Sequence, residues 1–242
     1  MKLLLTNDDG FDAPGIAALA EACAEFGLHV VVAPAEHQSG CSHMATTSRG
    51  LFLSRHGENR YAVDGSPVDC TRIGLYQVAP SVQWVLSGIN EGGNLGTDVY
   101  LSGTVAAARE ACLLGKPAIA ISQYMKRRPA DWKRAARWTR HVLQMLFILP
   151  PEPGTFWNVN LPDPDAPADD VPDCVFCDID PHPLPVAYET RDGKLHYKAR
   201  YQDRRREPGC DVEHCFAGCI TVSQVSLHSI PPAIADDVSR PA

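Results

Sequence analysis

The sequence predicts an α/β protein, with a mostly parallel sheet flanked by helices and a smaller β-rich extension at its C-terminal end. Three observations carry that prediction. Short apolar runs (Leu3-Leu4-Leu5, Val30-Val31-Val32-Ala33, Trp84-Val85-Leu86) have the composition of strands buried on both faces. Between them lie segments whose apolar residues recur at helical spacing, so strands and helices alternate. Beyond residue 162 prolines and aspartates interrupt this alternation, and the later segments read as strands.

The first strand ends in Thr6-Asn7-Asp8-Asp9-Gly10. Asp8 and Asp9 therefore sit at the carboxyl end of a parallel strand, where open α/β sheets place their ligands. Ile16, Leu19, Ala20, Cys23 and Phe26 predict a helix over 14–26, opened by Pro14 and closed by Gly27. His29 to Ala33 is the second strand, stopped by Pro34, and the three elements form a βαβ unit with a right-handed crossover. No G-x-G-x-x-G occupies the first turn, so this is not a dinucleotide-binding fingerprint. The polar loop 35–42 falls beside the Asp pair by the same topological rule. Alternating segments near 51–54 and 60–63 suggest a hairpin, and Ser66-Pro67 opens a helix. Residues 83–87 form a third central strand that feeds a glycine-rich loop over 88–104. Ser102-Gly103-Thr104 then starts the apolar helix from Val105 to Leu114. A strand over 117–122, a helix over 131–149 and a strand over 157–162 complete the α/β body. Segments near 174–180, 186–201 and 217–226 read as strands of a smaller β subdomain. The last dozen residues, with Pro231, Pro232 and Pro241, read as loose.

The 242 residues include 45% hydrophobic side chains, enough for a full core, and 21% charged ones. A net charge of −7 argues against a nucleic-acid polymer or an anionic membrane as partner. No apolar stretch reaches the roughly 18 residues a bilayer span needs. The opening Met-Lys-Leu-Leu-Leu meets polar residues too early for a secretory signal, so the expected location is the cytoplasm. Nine cysteines include a C-x-x-C at Cys174 and Cys177 and a group of Cys210, Cys215 and Cys219 near His214. A zinc site or a redox pair is one reading; the odd count and loose spacing favour reduced thiols.

The chemistry gathers at the strand ends. Two adjacent acids repel one another unless a cation lies between them, and a hard divalent ion suits oxygen ligands; an acidic turn is the plain alternative. Ser39 offers a hydroxyl to a metal or a phosphate, or is a turn serine. His37 and His43, read alone, are loop residues. Asn90 and Asn94 add neutral oxygen and amide contacts. Ser102, Gly103 and Thr104, at a helix start with free N–H groups, make an anion receptor. Lys126, Arg127, Arg128, Lys133 and Arg134 form a solvated basic face or a lip for an anionic substrate. Together these residues fit metal-assisted phosphomonoester hydrolysis, with an Asp acting as general base or as nucleophile.

Thr6-Asn7-Asp8-Asp9-Gly10, Ala13-Pro14-Gly15-Ile16, Gln38-Ser39-Gly40 and Gly65-Ser66-Pro67-Val68-Asp69-Cys70 resemble successive motifs of the SurE family. Ser87-Gly88-Ile89-Asn90, Asn94-Leu95-Gly96, Ser102-Gly103-Thr104-Val105-Ala106, Trp157 to Pro162 and Gly218 to Ser223 continue the match in order. The resemblance covers nearly the whole chain. It implies a Rossmann-like SurE fold and a divalent-metal phosphatase acting on nucleoside 5′- and 3′-monophosphates. Carried onto this sequence, it makes Asp8, Asp9, Ser39 and Asn90 the metal ligands, Asp8 and Asp9 the catalytic residues, and Asn94, Ser102, Gly103 and Thr104 the phosphate-side residues. It further implies one Mg²⁺ or Mn²⁺ ion, with Ca²⁺ also accommodated, and a homodimer or homotetramer that exchanges C-terminal elements. Residues 1–162 would form the core carrying the site, and 163–242 the extension that completes the core and takes part in oligomerisation. Glu91 and Gly93 depart from the family pattern, and the segment 162–216 matches weakly. Two rivals are an aspartyl-phosphate enzyme, disfavoured because Asp8 and Asp9 are adjacent, and a nucleotide-binding module without turnover.

Overall fold

The computed structural model of the chain describes residues 1–126, 129–163 and 170–227. Arg127, Arg128 and the terminal prolines named above lie outside the described residues. The apolar run at the start forms β1 (Lys2–Thr6), flanked by β2 (Leu28–Pro34) on one side and β5 (Trp84–Glu91) on the other, both parallel to it. That divergence makes the end of β1 a topological switch point, the place where an α/β sheet opens a crevice. Beyond β2 lie β4 (Arg60–Val63), parallel, and β3 (Leu53–Arg55), antiparallel to β4 as the hairpin reading expects. On the other side β6 (Ala118–Gln123) and β7 (Thr155–Leu161) continue in parallel.

Side chains alternate across the sheet because successive Cβ atoms point to opposite faces. Leu3, Leu5, Val31 and Leu86 face α1 (Pro14–Cys23) and α4 (Trp132–Leu146), with Trp138 buried at the centre of that layer. Leu4, Val30, Val32 and Val85 face α2 (Pro67–Ile73) and α3 (Gly103–Leu113). α2 starts at a capping box, in which Ser66 and Asp69 satisfy each other's backbone N–H groups.

α1 stops three residues before the predicted end, because Phe26 donates its N–H to Cys23 in a closing turn rather than continuing the helix. β5 runs further than expected. The register shifts between Ser87 and Asn90, where the Gly88–Ile89 peptide is cis, and the strand resumes with Asn90 opposite Ser122 and Glu91 opposite Gln123. Asn90 thus lies within the last residues of β5, which ends at Glu91, instead of in the glycine-rich loop.

The C-terminal segments divide. β11 (Ile220–Ser226) adds to the main sheet antiparallel to β7, and β8 (Cys174–Phe176) pairs parallel with β11, giving nine strands among the described residues in the order β3-β4-β2-β1-β5-β6-β7-β11-β8. Among the described residues, β9 (Tyr188–Arg191) and β10 (Lys194–Tyr197) pair only with each other. A short helix, α5 (Asp211–Phe216), which the sequence reading did not anticipate, packs against β11. All nine cysteines are free thiols. Among the described residues no helix is long and apolar enough to cross a membrane.

Candidate metal and phosphate site

Asn7 donates its side-chain amide to the Gly10 carbonyl at 2.8 Å, closing the turn after β1 and presenting Asp8 and Asp9 at the switch point. Asp8 is buried, 3% exposed, and its carboxylate accepts a hydrogen bond from the Thr104 hydroxyl at the first turn of α3. Gly103 makes this approach possible. A Cβ at that position would lie 2.9 Å from Asp8 Cβ and Oδ2 and 3.0 Å from Cys41 Sγ. The helix start thus rests directly on the carboxylate, an anion placed where the backbone N–H groups and the helix dipole favour one. Asp9 Oδ2 accepts the Glu91 N–H at 2.9 Å, and His37 Nδ1 lies 3.7 Å from Asp9 Oδ1.

Burial pushes the Asp8 carboxyl above its ordinary value, against the lowering effect of the Thr104 hydrogen bonds. The Asp9 carboxyl is pushed up to about 6, chiefly by burial; the Glu91 N–H opposes the rise and the neighbouring Asp8 charge adds to it. Two acids held together out of water are electrostatically costly, and a bound cation reverses that local balance.

The other expected metal ligands arrive from two directions. Asn90, 9% exposed, donates its amide to Gly92 O at 2.7 Å, which turns the Oδ1 atom to the opposite side of that group. Ser39 is exposed in the loop after β2. That loop is fastened to the site by the Gln38 N–H donating to Asp8 O at 2.7 Å, and to the α3 entrance by Ser42, which donates to Tyr100 O at 2.8 Å and Leu101 O at 3.2 Å. Asp8, Asp9, Asn90 and Ser39, if they hold a metal, would offer it oxygen atoms only, a chemistry that suits Mg²⁺, Mn²⁺ or Ca²⁺ in preference to a soft ion.

On the phosphate side, Ser102 Oγ accepts the Val105 N–H at 3.0 Å and so caps α3, while the Thr104 hydroxyl is turned to Asp8. Asn94 donates its side-chain amide to Ser122 Oγ at 2.7 Å. Its backbone N–H donates to Asn160 Oδ1 at 2.7 Å, and its carbonyl accepts from Asn158 and Asn160. Asp8, Gly103 and Thr104 therefore meet directly, and Asp9, next to Asp8 in the chain, is held by the Glu91 N–H and faces His37. Asn90 enters the group through neighbouring backbone, and Ser39 through its loop. The polar side chains of Ser102 and Asn94 are engaged within the protein.

Several supporting residues escaped the sequence reading. Asn158 and Asn160 bracket the Asn94 backbone, and their i, i+2 spacing on one strand was the signal that both share a face. Glu110, buried in α3, accepts from His43 at 2.8 Å and Arg72 at 2.6 Å, tying the Ser39 loop to the helix; a lone Glu in an apolar helix gave no indication of either partner. Arg134 reaches Asp163 at 3.4 Å and stacks over Trp138, so one of the basic residues considered for a lip is engaged within the protein.

The sequence model of the survival protein SurE family matches residues 3–181. A protein of Nostoc sp. (strain PCC 7120), provisionally named a 5′-nucleotidase, is 49% identical over 228 residues, covering 94% of this chain and all of the relative. The 5′-nucleotidase SurE of Geotalea uraniireducens is 46% identical over 169 residues, covering 67% of this chain and 66% of the relative. The crystal structure of the SurE protein from Aquifex aeolicus superposes with a TM-score of 0.86 at 30% identity, covering 98% of each chain.

Proposed function

The chain belongs to the survival protein SurE family, and on that footing we propose that it is a divalent-metal-dependent phosphomonoesterase. Its substrates in this reading are nucleoside 5′- and 3′-monophosphates, which it hydrolyses to nucleoside and phosphate. The observation that carries the reading is the pair of adjacent carboxylates, Asp8 buried against the start of α3 and Asp9 beside it, its side chain largely shielded from water. The names carried by the relatives support the 5′-nucleotidase part of it.

Asp8, Asp9, Ser39 and Asn90 would hold one Mg²⁺ or Mn²⁺ ion, with Ca²⁺ able to occupy the same oxygens. When bound, such an ion neutralises charge on the phosphoryl oxygens and acidifies water. Asp8, fixed by Thr104, orients; Asp9, whose Oδ1 faces His37 at 3.7 Å, is the carboxylate with freedom to take a proton from attacking water. The first turn of α3 contributes backbone N–H groups of the kind that receive phosphate, with Ser102, Gly103 and Thr104 shaping the approach and Asn94 bordering it. The same reading carries a cytoplasmic homodimer or homotetramer, with residues 163–242 taking part in the assembly.

The test is phosphate release from a panel of 5′- and 3′-nucleoside monophosphates with Mg²⁺, Mn²⁺ or chelator, comparing wild type with Asp9→Asn. Metal-dependent release that collapses in the variant is the expected result. No release from any member, by folded protein with metal bound, would leave a nucleotide-binding module instead.

A further inference from the structure

The family match ends at residue 181, yet the loop between the phosphate-side residues Asn94 and Ser102 is held by groups that come later in the chain. This loop winds into a turn of 3₁₀ helix, Gly96–Tyr100. The Gly96 N–H donates to Asp211 Oδ2 at 2.8 Å. Arg204 donates through Nη1 to Asp98 Oδ2 at 2.8 Å and through Nη2 to Leu95 O at 3.1 Å. Tyr201 donates its hydroxyl to the same Asp98 oxygen at 2.7 Å, and Thr97 donates to His182 O at 3.3 Å.

The clamp is itself braced. Asp211 Oδ1 accepts the Asp180 N–H at 2.9 Å, and Asp180 accepts from the Glu207 N–H at 2.7 Å. The Arg204 side chain is 0% exposed and that of Asp98 10%. Burying such a pair carries a desolvation cost that hydrophobic residues of the same volume would avoid, so its use here calls for a positional reason. The loop is shaped to the guanidinium: Gly96 has φ +55°, and a Cβ there would lie 2.7 Å from Arg204 Nη2. The metal-side residues are held from elsewhere, Asp8 by Gln38 and Thr104, Asp9 by Glu91, and Asn90 by Gly92.

We propose that Arg204, with Asp211 and Tyr201, is a positioning residue that sets the Asn94–Ser102 loop for phosphate binding, so that the C-terminal part of the chain completes the substrate side of the site. This rests on the phosphomonoesterase reading above. The clamp acts on phosphate affinity and leaves metal affinity to the ends of β1 and β5 and to the Thr104 hydroxyl on Asp8.

The experiment uses the full chain carrying Asp98→Asn together with Arg204→Gln, which removes both charges and leaves neither buried alone. Calorimetry measures the Kd of Mn²⁺ and then the Kd of inorganic phosphate in the presence of Mn²⁺; KM and kcat follow with an active nucleotide. The expected outcome is a phosphate Kd and a KM raised about tenfold or more, with the Mn²⁺ Kd changed less than about threefold. Arg204→Lys, which keeps the charge and loses the fork, should recover part of the loss. Phosphate Kd and KM within about twofold of wild type would overturn the proposal, and so would parallel weakening of Mn²⁺ and phosphate, the mark of a general structural role. Should the double variant not fold, Tyr201→Phe keeps the ion pair and removes one hydrogen bond to Asp98; an unchanged phosphate Kd there counts against the clamp and a selective rise for it. Wild type that binds Mn²⁺ and phosphate but releases none from nucleotides defeats the hydrolase reading alone, because the clamp is judged on binding.

Discussion

Replacing Asp9 by Asn should stabilise the metal-free protein at neutral pH while removing a proposed metal ligand. The Asp9 side chain is only 10% exposed, and its carboxyl is pushed from 3.8 to about 6. A group whose folded value lies above its unfolded one binds more protons folded than unfolded between those two pH values, so stability falls as pH rises through that window. Below pH 3.8 the effect vanishes, and above about pH 6 it is complete. Roughly two units at about 1.36 kcal/mol each give about 3 kcal/mol, reduced to about 2–3 kcal/mol by solvent at the exposed edge. Asparagine keeps an oxygen for the Glu91 N–H, so the hydrogen bond at 2.9 Å survives the change. Urea titrations in chelator should therefore find Asp9→Asn more stable than wild type by about 2–3 kcal/mol at pH 8, and by less than about 1 kcal/mol at pH 4. Mn²⁺ at about a hundred times its Kd should then raise wild type by about 2.7 kcal/mol and leave the variant unmoved. A variant equal to or weaker than wild type at pH 8 in chelator would refute the claim that the acid pair is strained without a cation.

Thr104→Val keeps the shape of the buried side chain and deletes the hydroxyl given to Asp8. It should lower Mn²⁺ affinity by about 10- to 100-fold, as loss of a ligand's supporting hydrogen bond does, and calorimetry with unchanged affinity would show that Asp8 needs no such support. Gly15→Ala places a Cβ 1.9 Å from the Ile89 carbonyl oxygen, a backbone atom next to Asn90. It should cost at least about 1–3 kcal/mol in urea unfolding and weaken metal binding through Asn90; a neutral result would mean that α1 shifts away from β5 freely.

What was legible in the sequence was local. The run Leu3-Leu4-Leu5 announced a buried strand, and the abrupt polar stop placed Asp8 and Asp9 at its end, because strand burial and strand termination both act within a few residues. Ser66 and Pro67 announced α2 for the same reason. What remained hidden depends on partners far along the chain. The segment 217–226 read as a strand of a smaller β subdomain, with no information on its neighbours, and β11 lies between β7 and β8 in the main sheet. Arg204 meets Asp98 across 106 residues, and nothing near either one in sequence names the other. Thr104 was readable as part of an anion receptor, yet the anion its hydroxyl meets in the fold is the protein's own Asp8 carboxylate. That pairing follows from the switch point, where the end of β1 faces the helix after β5.

The most direct test of the central claim is a Mn²⁺ titration followed by electron paramagnetic resonance, with phosphate release from a nucleoside 5′-monophosphate measured on the same samples. One ion per chain, turnover rising in proportion to its occupancy, and loss of both in Asp9→Asn is the expected result. Turnover that persists in chelator, or an Asp9→Asn variant that binds the ion and turns over like wild type, would contradict a metal-dependent phosphomonoesterase built on Asp8 and Asp9.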